Sequence, residues 1–432
     1  MPLNTSGAIS LAGSTVGQSI ALELGQSATG TISLNDSAVR DLAGVASGAI
    51  VIPTDFYGAS SGPTLSYGTA VDFSTSTAYK PSLAYNQFRN KVTVAYGDSS
   101  NNSYLTAKVG TVSGTSISWG TATVLWSGNS SPVYETASVY MTPGAASERT
   151  IVFMKEQSQS GRGLAIACDV NTQDEMLRQA SAVFETGEIT IYSNAAFEDP
   201  DNVFAGIVYR DFNNSQYGQI AMVSKSASNY TPVVFHSSTT EDMTAAYDTN
   251  SNKVLVCYTD STDGSKGKAR VGTISSGGSV SFGTEVTYST VSTFNNCAVF
   301  DSTNNKVVVL YEAGNDLKAK VGTISGTSVS FGSEATIDTN YITRFSLSAS
   351  FDTTNGVVIA AWEDREASPD NGKAAIGTVS GTSISWSGLS TFEAGNVTST
   401  SCVYDPDTGK TIIAYRDIDS SDGTAIVATV VN

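Results

Sequence analysis

The stretch Lys320-Val321-Gly322-Thr323-Ile324-Ser325-Gly326-Thr327-Ser328-Val329-Ser330-Phe331-Gly332 decides the fold, because the chain writes it more than once. Lys108 to Gly120 reads KVGTVSGTSISWG, Arg270 to Gly283 reads RVGTISSGGSVSFG, and Ala375 to Trp386 reads AIGTVSGTSISW. The leading glycines fall at 110, 272, 322 and 377, so the intervals are 162, 50 and 55, the first close to three times the others. Two degenerate copies fill that gap, Leu164-Ala165-Ile166-Ala167-Cys168 and Gln219-Ile220-Ala221-Met222-Val223, and a last one stands at Ala425 to Thr429. A period of about 50 residues is the mark of a repeat architecture.

Every unit has the same internal order. A short strand ends in an aromatic and an acid, as in Tyr247-Asp248, Phe300-Asp301, Phe351-Asp352 and Tyr404-Asp405. A tight polar turn follows, then a β-branched strand such as Lys306-Val307-Val308-Val309-Leu310-Tyr311. A loop of variable length comes next, then the Val-Gly-Thr strand, the Ser-Gly-Thr turn and a fourth strand. Asn, Asp and Gly supply the positive φ that tight hairpins need. Four antiparallel strands in about 50 residues make one propeller blade. The pattern predicts an all-β chain, a seven-bladed propeller of four-stranded blades over 61–432. Its last unit lacks a fourth strand, and Ser66 to Thr75 (SYGTAVDFST) matches Ser281 to Thr290 (SFGTEVTYST) position by position. The N-terminal strand is therefore expected to complete the last blade and close the ring, which removes an open sheet edge.

Residues 1–60 read as a separate, small mixed module. Gly7 to Leu11, Gly30 to Leu34 and Gly48 to Ile52 look like three short strands, with helices over Ser19–Leu24 and Ser37–Ala43; Asn35-Asp36 cap the second and Gly44 stops it. So few large apolar side chains make a poor core alone, so the apolar strand faces are expected to be covered between chains. Ala59 to Gly62 is the expected linker.

Composition narrows the function. Of 432 residues, 23 are Lys or Arg and 40 are Asp or Glu, a net charge of −17, which disfavours nucleic acid and anionic membrane surfaces as partners. No apolar run reaches the length of a membrane helix, and the N-terminus shows no secretory signal. One histidine, His236, argues against a multi-histidine metal site or a Ser-His-Asp triad. Cys168, Cys257, Cys297 and Cys402 sit in apolar runs without CxxC spacing and read as small core residues. No cofactor is expected.

The first and third turns of each unit are short and alike, whereas the second-to-third loops and the inter-unit loops vary, and both of these leave at one end of the blades. Variable loops on a rigid frame are where binding concentrates. Asp98, Asp211, Asp260, Asp364 and Asp417 open these loops, with Glu156 and Glu312 in the same place in two further units. They are either a carboxylate ring for polar ligands or cations, or residues that start turns by accepting their own backbone N–H groups. Asp417 to Gly423 has the look of a calcium loop with the wrong spacing. Tyr104, Phe212, Tyr217 and Tyr341, with Trp126 as a further candidate, are either aromatics placed to meet a sugar face or blade packing; Trp119, Trp362 and Trp386 belong in the core. The candidate ligand-binding set is Asp98, Tyr104, Asp211, Phe212, Tyr217, Asp260, Asp364 and Asp417, with no catalytic or metal-ligating residue assigned.

Thr31 to Ile50, TISLNDSAVRDLAGVASGAI, resembles the N-terminal module of many structural proteins of tailed bacteriophages, marine ones especially. The likeness covers about 50 residues. The propeller lacks the Ser-x-Asp-x-Gly-x-x-Trp box of sialidase-type propellers and the strand-ending Trp-Asp of WD40 repeats. The resemblance implies a virion protein of a tail or other appendage, attached to other virion proteins through residues 1–60 and homo-oligomeric, a trimer as in many fibres. On that basis the leading expectation is a non-enzymatic, tail-fibre-like adhesin whose propeller binds a host surface glycan or protein. A structural decoration or neck protein is the alternative, and a polysaccharide depolymerase the third.

Overall fold

The computed structural model describes residues 3, 9–29, 32–45, 49–52, 62–127, 133–142, 149–228, 231–339, 346–365 and 369–431. They divide into two compact units, Met1–Thr64 with Val430–Asn432, and Leu65–Thr429.

The larger unit is an all-β propeller. Its repeating element is an antiparallel sheet in chain order: Ala78–Asn86, Lys91–Asp98, Tyr104–Ser113 and Ser116–Trp119, with Thr123–Trp126 also on the third strand. Thr136–Met141, Arg149–Glu156, Arg162–Val170 and Met176–Glu185 form the next sheet, and Ile189–Asp199, Phe204–Asp211, Tyr217–Ser224 and Val233–His236 the one after it. Leu347–Asp352, Val357–Asp364, Asn371–Ser380 and Ser383–Glu393 form another. The second strand of each sheet is a continuous apolar run because sheets pack on both of its faces. Alternate residues then enter different cores: Val254, Val256 and Tyr258 pack on one side of Lys253–Asp260, Leu255 and Cys257 on the other. Cys168, Cys257 and Cys297 are buried free thiols, and Cys402 is partly buried.

The expected seven-bladed propeller is corrected by the strand pairing: five blades stand as sheets of four or five strands, not seven, and the remaining strands form one nine-stranded sheet running from Thr240 to Asp338. Its hinge strand, Val286–Asp301, is 16 residues long. Lys266 to Ala269 pair with its first half, and Lys306–Ala313 pairs with its second. The run VTYSTVSTFNNCAVFD contains neither Gly nor Pro and is rich in β-formers, so nothing in it interrupts the strand.

The ring closes through its two ends. Thr64–Tyr67 and Val71–Ser74 both lie on Gly423–Val431, with Val71 opposite Ala425 and Asp72 opposite Thr424. Gly68 N donates to Val427 O at 2.9 Å, and Thr424 Oγ1 to Asp72 Oδ1 at 2.9 Å. The innermost strands meet in succession around the ring, and Ala78–Asn86 touches both Thr136–Met141 and Val397–Asp405. One joint recurs between neighbouring repeats: an aromatic ring lies on the glycine of the third strand and against the tyrosine of the next repeat's second strand. Tyr288 covers Gly267 and packs on Tyr311 at 5.1 Å; across the seam Phe73 covers Gly423 and packs on Tyr96 at 5.1 Å. Phe235 on Gly218 and Phe392 on Gly372 repeat the device.

The smaller unit keeps both expected helices, shortened to Ile20–Glu23 and Ser37–Leu42. Ser19 caps the first, its Oγ accepting from Leu22 N, and Asp36 takes the cap position of the second. The three expected strands are corrected. Among the described residues that stretch holds only an isolated bridge, Ser10 with Ser19, and Ile32 to Leu34 and Ile50 to Ile52 carry no strand. Their side chains instead pack on a core of Leu3, Ile9, Ile20, Val39 and Leu42 within the same chain. Most of the linker, residues 59–61, lies outside the described residues.

Candidate functional site

The two ends of the propeller sheets are built differently. At one end the aspartates that close the first strand, Asp199, Asp248, Asp301, Asp352 and Asp405, each accept the backbone N–H groups two and three residues on. Each also accepts a side-chain donor three residues on, as Asn304 Nδ2 to Asp301 Oδ2 at 2.8 Å. The aromatic before the turn acceptor reaches the neighbouring turn: Tyr404 OH donates to Thr354 Oγ1 at 2.6 Å, Tyr247 OH to Asp201 at 3.2 Å, and Tyr85 OH, before the acceptor Asn86, to Asp407 at 2.5 Å across the seam. This is the turn end.

The acids singled out for binding all lie at the other, loop end, and their own chain engages each of them. Asp98 accepts from Ser100 N at 3.0 Å, Ser100 Oγ at 2.7 Å and Ser76 Oγ at 2.9 Å. Asp211 accepts from Asn213 N, Asn214 N and the Gln219 amide, and Asp260 from Thr262 N and Oγ1. Asp417 accepts from Asp419 N and Ser420 N, while Asp364 pairs with Lys373 Nζ at 2.7 Å. Glu156 holds Arg162 Nε at 2.7 Å and Trp126 Nε1 at 3.0 Å; Glu312 takes Asn295 Nδ2. The carboxylates stand at matching positions of successive repeats; Asp98, Asp211, Asp260 and Asp417 serve their own loops as turn acceptors do, while Asp364, Glu156 and Glu312 bond to side chains. No group of three or more potential ligands for a metal ion is found among the described residues.

The candidate aromatics divide. Tyr104 and Tyr217 open third strands, opposite Asp98 and Asp211, and are partly buried. Phe212 lies beneath cations, Arg210 at 4.5 Å and Lys155 at 5.9 Å from its centroid, and Trp126 lies under Arg178 at 4.8 Å. Tyr341 lies outside the described residues. His236 is bracketed by Asp260 at 3.3 Å and Glu285 at 3.1 Å, with its ring 4.8 Å from that of Tyr258.

What the sequence pattern did not single out is a polar collar on the innermost strands. Six residues before the turn acceptors Asn86, Asp248, Asp301 and Asp405 stand Lys80, Asp242, Asn295 and Ser399. All four have left-handed backbones, φ 43°, 46°, 50° and 57°, at irregularities in strand register. Such bulges re-aim side chains near sites. They gather charge inside the ring. Burial pushes the Lys80 ammonium below its usual range, opposed by the nearby carboxylates of Glu135, Asp242 and Glu363. Burial raises the Glu135 carboxyl, while Ile191 N donates to it at 2.7 Å. Asp242 is pushed up to about 7 by burial and by the adjacent Glu241, itself paired with Arg210 at 2.9 Å. The shared signal, a polar residue at one fixed distance from the turn acceptor, is visible only when the repeats are aligned on that acceptor.

Beside this collar, at the loop end, a cavity of about 320 Å³ is lined by Tyr79, Lys80, Tyr134, Thr398, Ser399 and Arg416. Tyr79 and Tyr134 meet edge to face at 4.8 Å, and the Arg416 guanidinium lies 5.8 Å from the Tyr79 centroid. Tyr134 is 41% exposed. The lining thus offers aromatic faces, hydroxyls and two cations in a chain with a large excess of acids.

No protein-family model matches the chain, and no curated protein matches it. Among solved structures it is similar to the Dos1 propeller, 11% identical with a TM-score of 0.45 over 84% of this chain and 95% of that one. It is also similar to a proposed oxidoreductase (glucose dehydrogenase) from Thermus thermophilus, 8% identical with a TM-score of 0.47 over 72% of this chain and 99% of that one.

Proposed function

We propose that the chain is a non-enzymatic binding protein of a tailed-bacteriophage virion, an adhesin of tail-fibre type whose propeller presents its loop end to a host surface glycan. The observation that supports it is the asymmetry of the sheets. One end repeats a single turn chemistry in five repeats, and the other carries acids whose partners change from repeat to repeat, with connections between repeats of different length, beside a cavity of tyrosines and cations. Binding, rather than hydrolysis, fits loop-end carboxylates that bond within their own chain, since a glycosidase needs two carboxyl groups facing one bond. The virion assignment rests on the likeness of Thr31 to Ile50 to phage attachment modules, and several copies on one particle would turn a weak site into firm attachment. Binding of the full chain to an array of bacterial surface polysaccharides and to bacterial cells tests the proposal. Retention on a defined surface glycan is the expected result. Absence of binding to every surface component, or release of new reducing ends from a bound polysaccharide, would overturn it.

A further inference from the structure

We infer that the cavity beside the polar collar is a saccharide site for a sugar ring bearing a carboxylate, with Arg416 as the anion-binding group and Tyr134 as the stacking platform. This rests on the glycan-binding reading above and names the ligand class and the place.

Three observations carry it. The cavity lining contains two cations, Lys80 and Arg416, and no acid, although the chain holds 40 acids against 23 bases. Arg416 Nε is buried without a hydrogen-bond partner, while its guanidinium lies over Tyr79. An orphaned donor of this kind is costly unless an acceptor reaches it, and a planar guanidinium matches a carboxylate with two parallel N–H···O bonds. Tyr134, unlike the core tyrosines, keeps 41% of its surface exposed and is set edge-on to Tyr79. An exposed ring held by a neighbour offers a rigid apolar face to the C–H side of a pyranose, while the polar residues Thr398 and Ser399 line the same space. A volume of about 320 Å³ suits a short saccharide.

The test is calorimetric titration of the full chain with trigalacturonate, with 3′-sialyllactose and with neutral maltotriose, repeated for Tyr134→Ala and Arg416→Gln. The expected result is binding of an acidic saccharide, with maltotriose at least tenfold weaker. Both substitutions should weaken the acidic ligand at least tenfold, and Tyr134→Ala should leave the melting temperature unchanged. The two acidic probes separate a uronate from a sialate. Equal binding of maltotriose, failure of both acidic ligands, or variants that bind like the parent would overturn the inference. If the variants still bind bacterial polysaccharides as the parent does, the glycan-binding reading stands and this site is wrong. If the acidic saccharide binds here and no bacterial surface is bound, the site stands and the host-attachment reading falls.

Discussion

The turn end and the loop end of the propeller use the same residue type for different ends. At the turn end an aspartate closes the first hairpin in repeat after repeat, accepts the same backbone groups, and lets a tyrosine tie neighbouring turns together. At the loop end an acid again starts each loop, but what surrounds it changes from serines at Asp98 to a lysine at Asp364 and an arginine at Glu156. Uniform chemistry marks the frame; changing partners at one shared position mark the end on which the proposed binding would draw.

Both ends depend on ring closure, so the largest expected effect comes from opening it. A fragment starting at residue 79 lacks Thr64–Tyr67 and Val71–Ser74 and leaves Gly423–Val431 an edge strand. It loses fully buried Phe73, worth roughly 1.5–3 kcal/mol by burial alone, with a ladder of hydrogen bonds besides. Aggregation on purification, against a soluble 63–432 fragment, is the expected outcome, read by sedimentation and thermal melting.

Next in size is the aromatic-on-glycine joint. A Cβ at Gly267 would lie 2.4 Å from the Tyr288 ring, and one at Gly423 would lie 2.4 Å from Phe73. Gly267→Val and Gly423→Val should each cost about 1–3 kcal/mol through overpacking. Equal losses in urea unfolding would show that the seam is as tight as a joint within the chain; a smaller loss at Gly423 would mark the seam as looser.

A turn-end substitution sharpens the contrast further. Asp301→Ala orphans Thr303 N and Asn304 N and should cost about 1–3 kcal/mol while leaving saccharide binding unchanged. Loss of binding would show that the two ends are not functionally separate.

The collar adds a pH dependence. The Asp242 carboxyl is raised in the folded protein, to about 7 from an ordinary 3.8. The folded state therefore holds a proton that the unfolded chain releases across that window, and the contribution of this group to stability falls as pH rises from 4 towards 7. Asp242→Asn should remove that part of the slope, raising the melting temperature relative to the parent more at pH 8 than at pH 5. An identical pH profile in the two proteins would mean that the carboxyl is not held out of water.

Much of this architecture was legible in the residues. The Val-Gly-Thr repeat set the strand order, and the likeness of Ser66 to Thr75 to Ser281 to Thr290 identified the closing strand, because glycine and aromatic spacing record the joint directly. The undivided strand Val286–Asp301 was not foreseen: a repeat period counts units, but pairing on both sides of one strand depends on the absence of a breaker and on tertiary neighbours. The Gly-x-Ile-x-Leu echoes near the N-terminus suggested strands, yet Ile9, Ile32 and Ile50 serve a small helix-bearing core instead. The site was the least legible part. Lys80, Asp242, Asn295 and Ser399 share a backbone conformation and no chemistry, and Arg416 comes from the opposite end of the chain to Tyr79 and Tyr134. Of the loop acids, Asp98, Asp211, Asp260 and Asp417 also serve their own turns.

Hydrogen exchange of the full chain, with and without saturating trigalacturonate or 3′-sialyllactose, whichever binds, tests the division of labour most directly. Added protection is expected around 79–80, 133–135, 398–399 and 416, and none at the turns 86–91, 248–253, 301–306 and 405–410. Protection confined to the turn end, or none at the cavity despite binding, would contradict it.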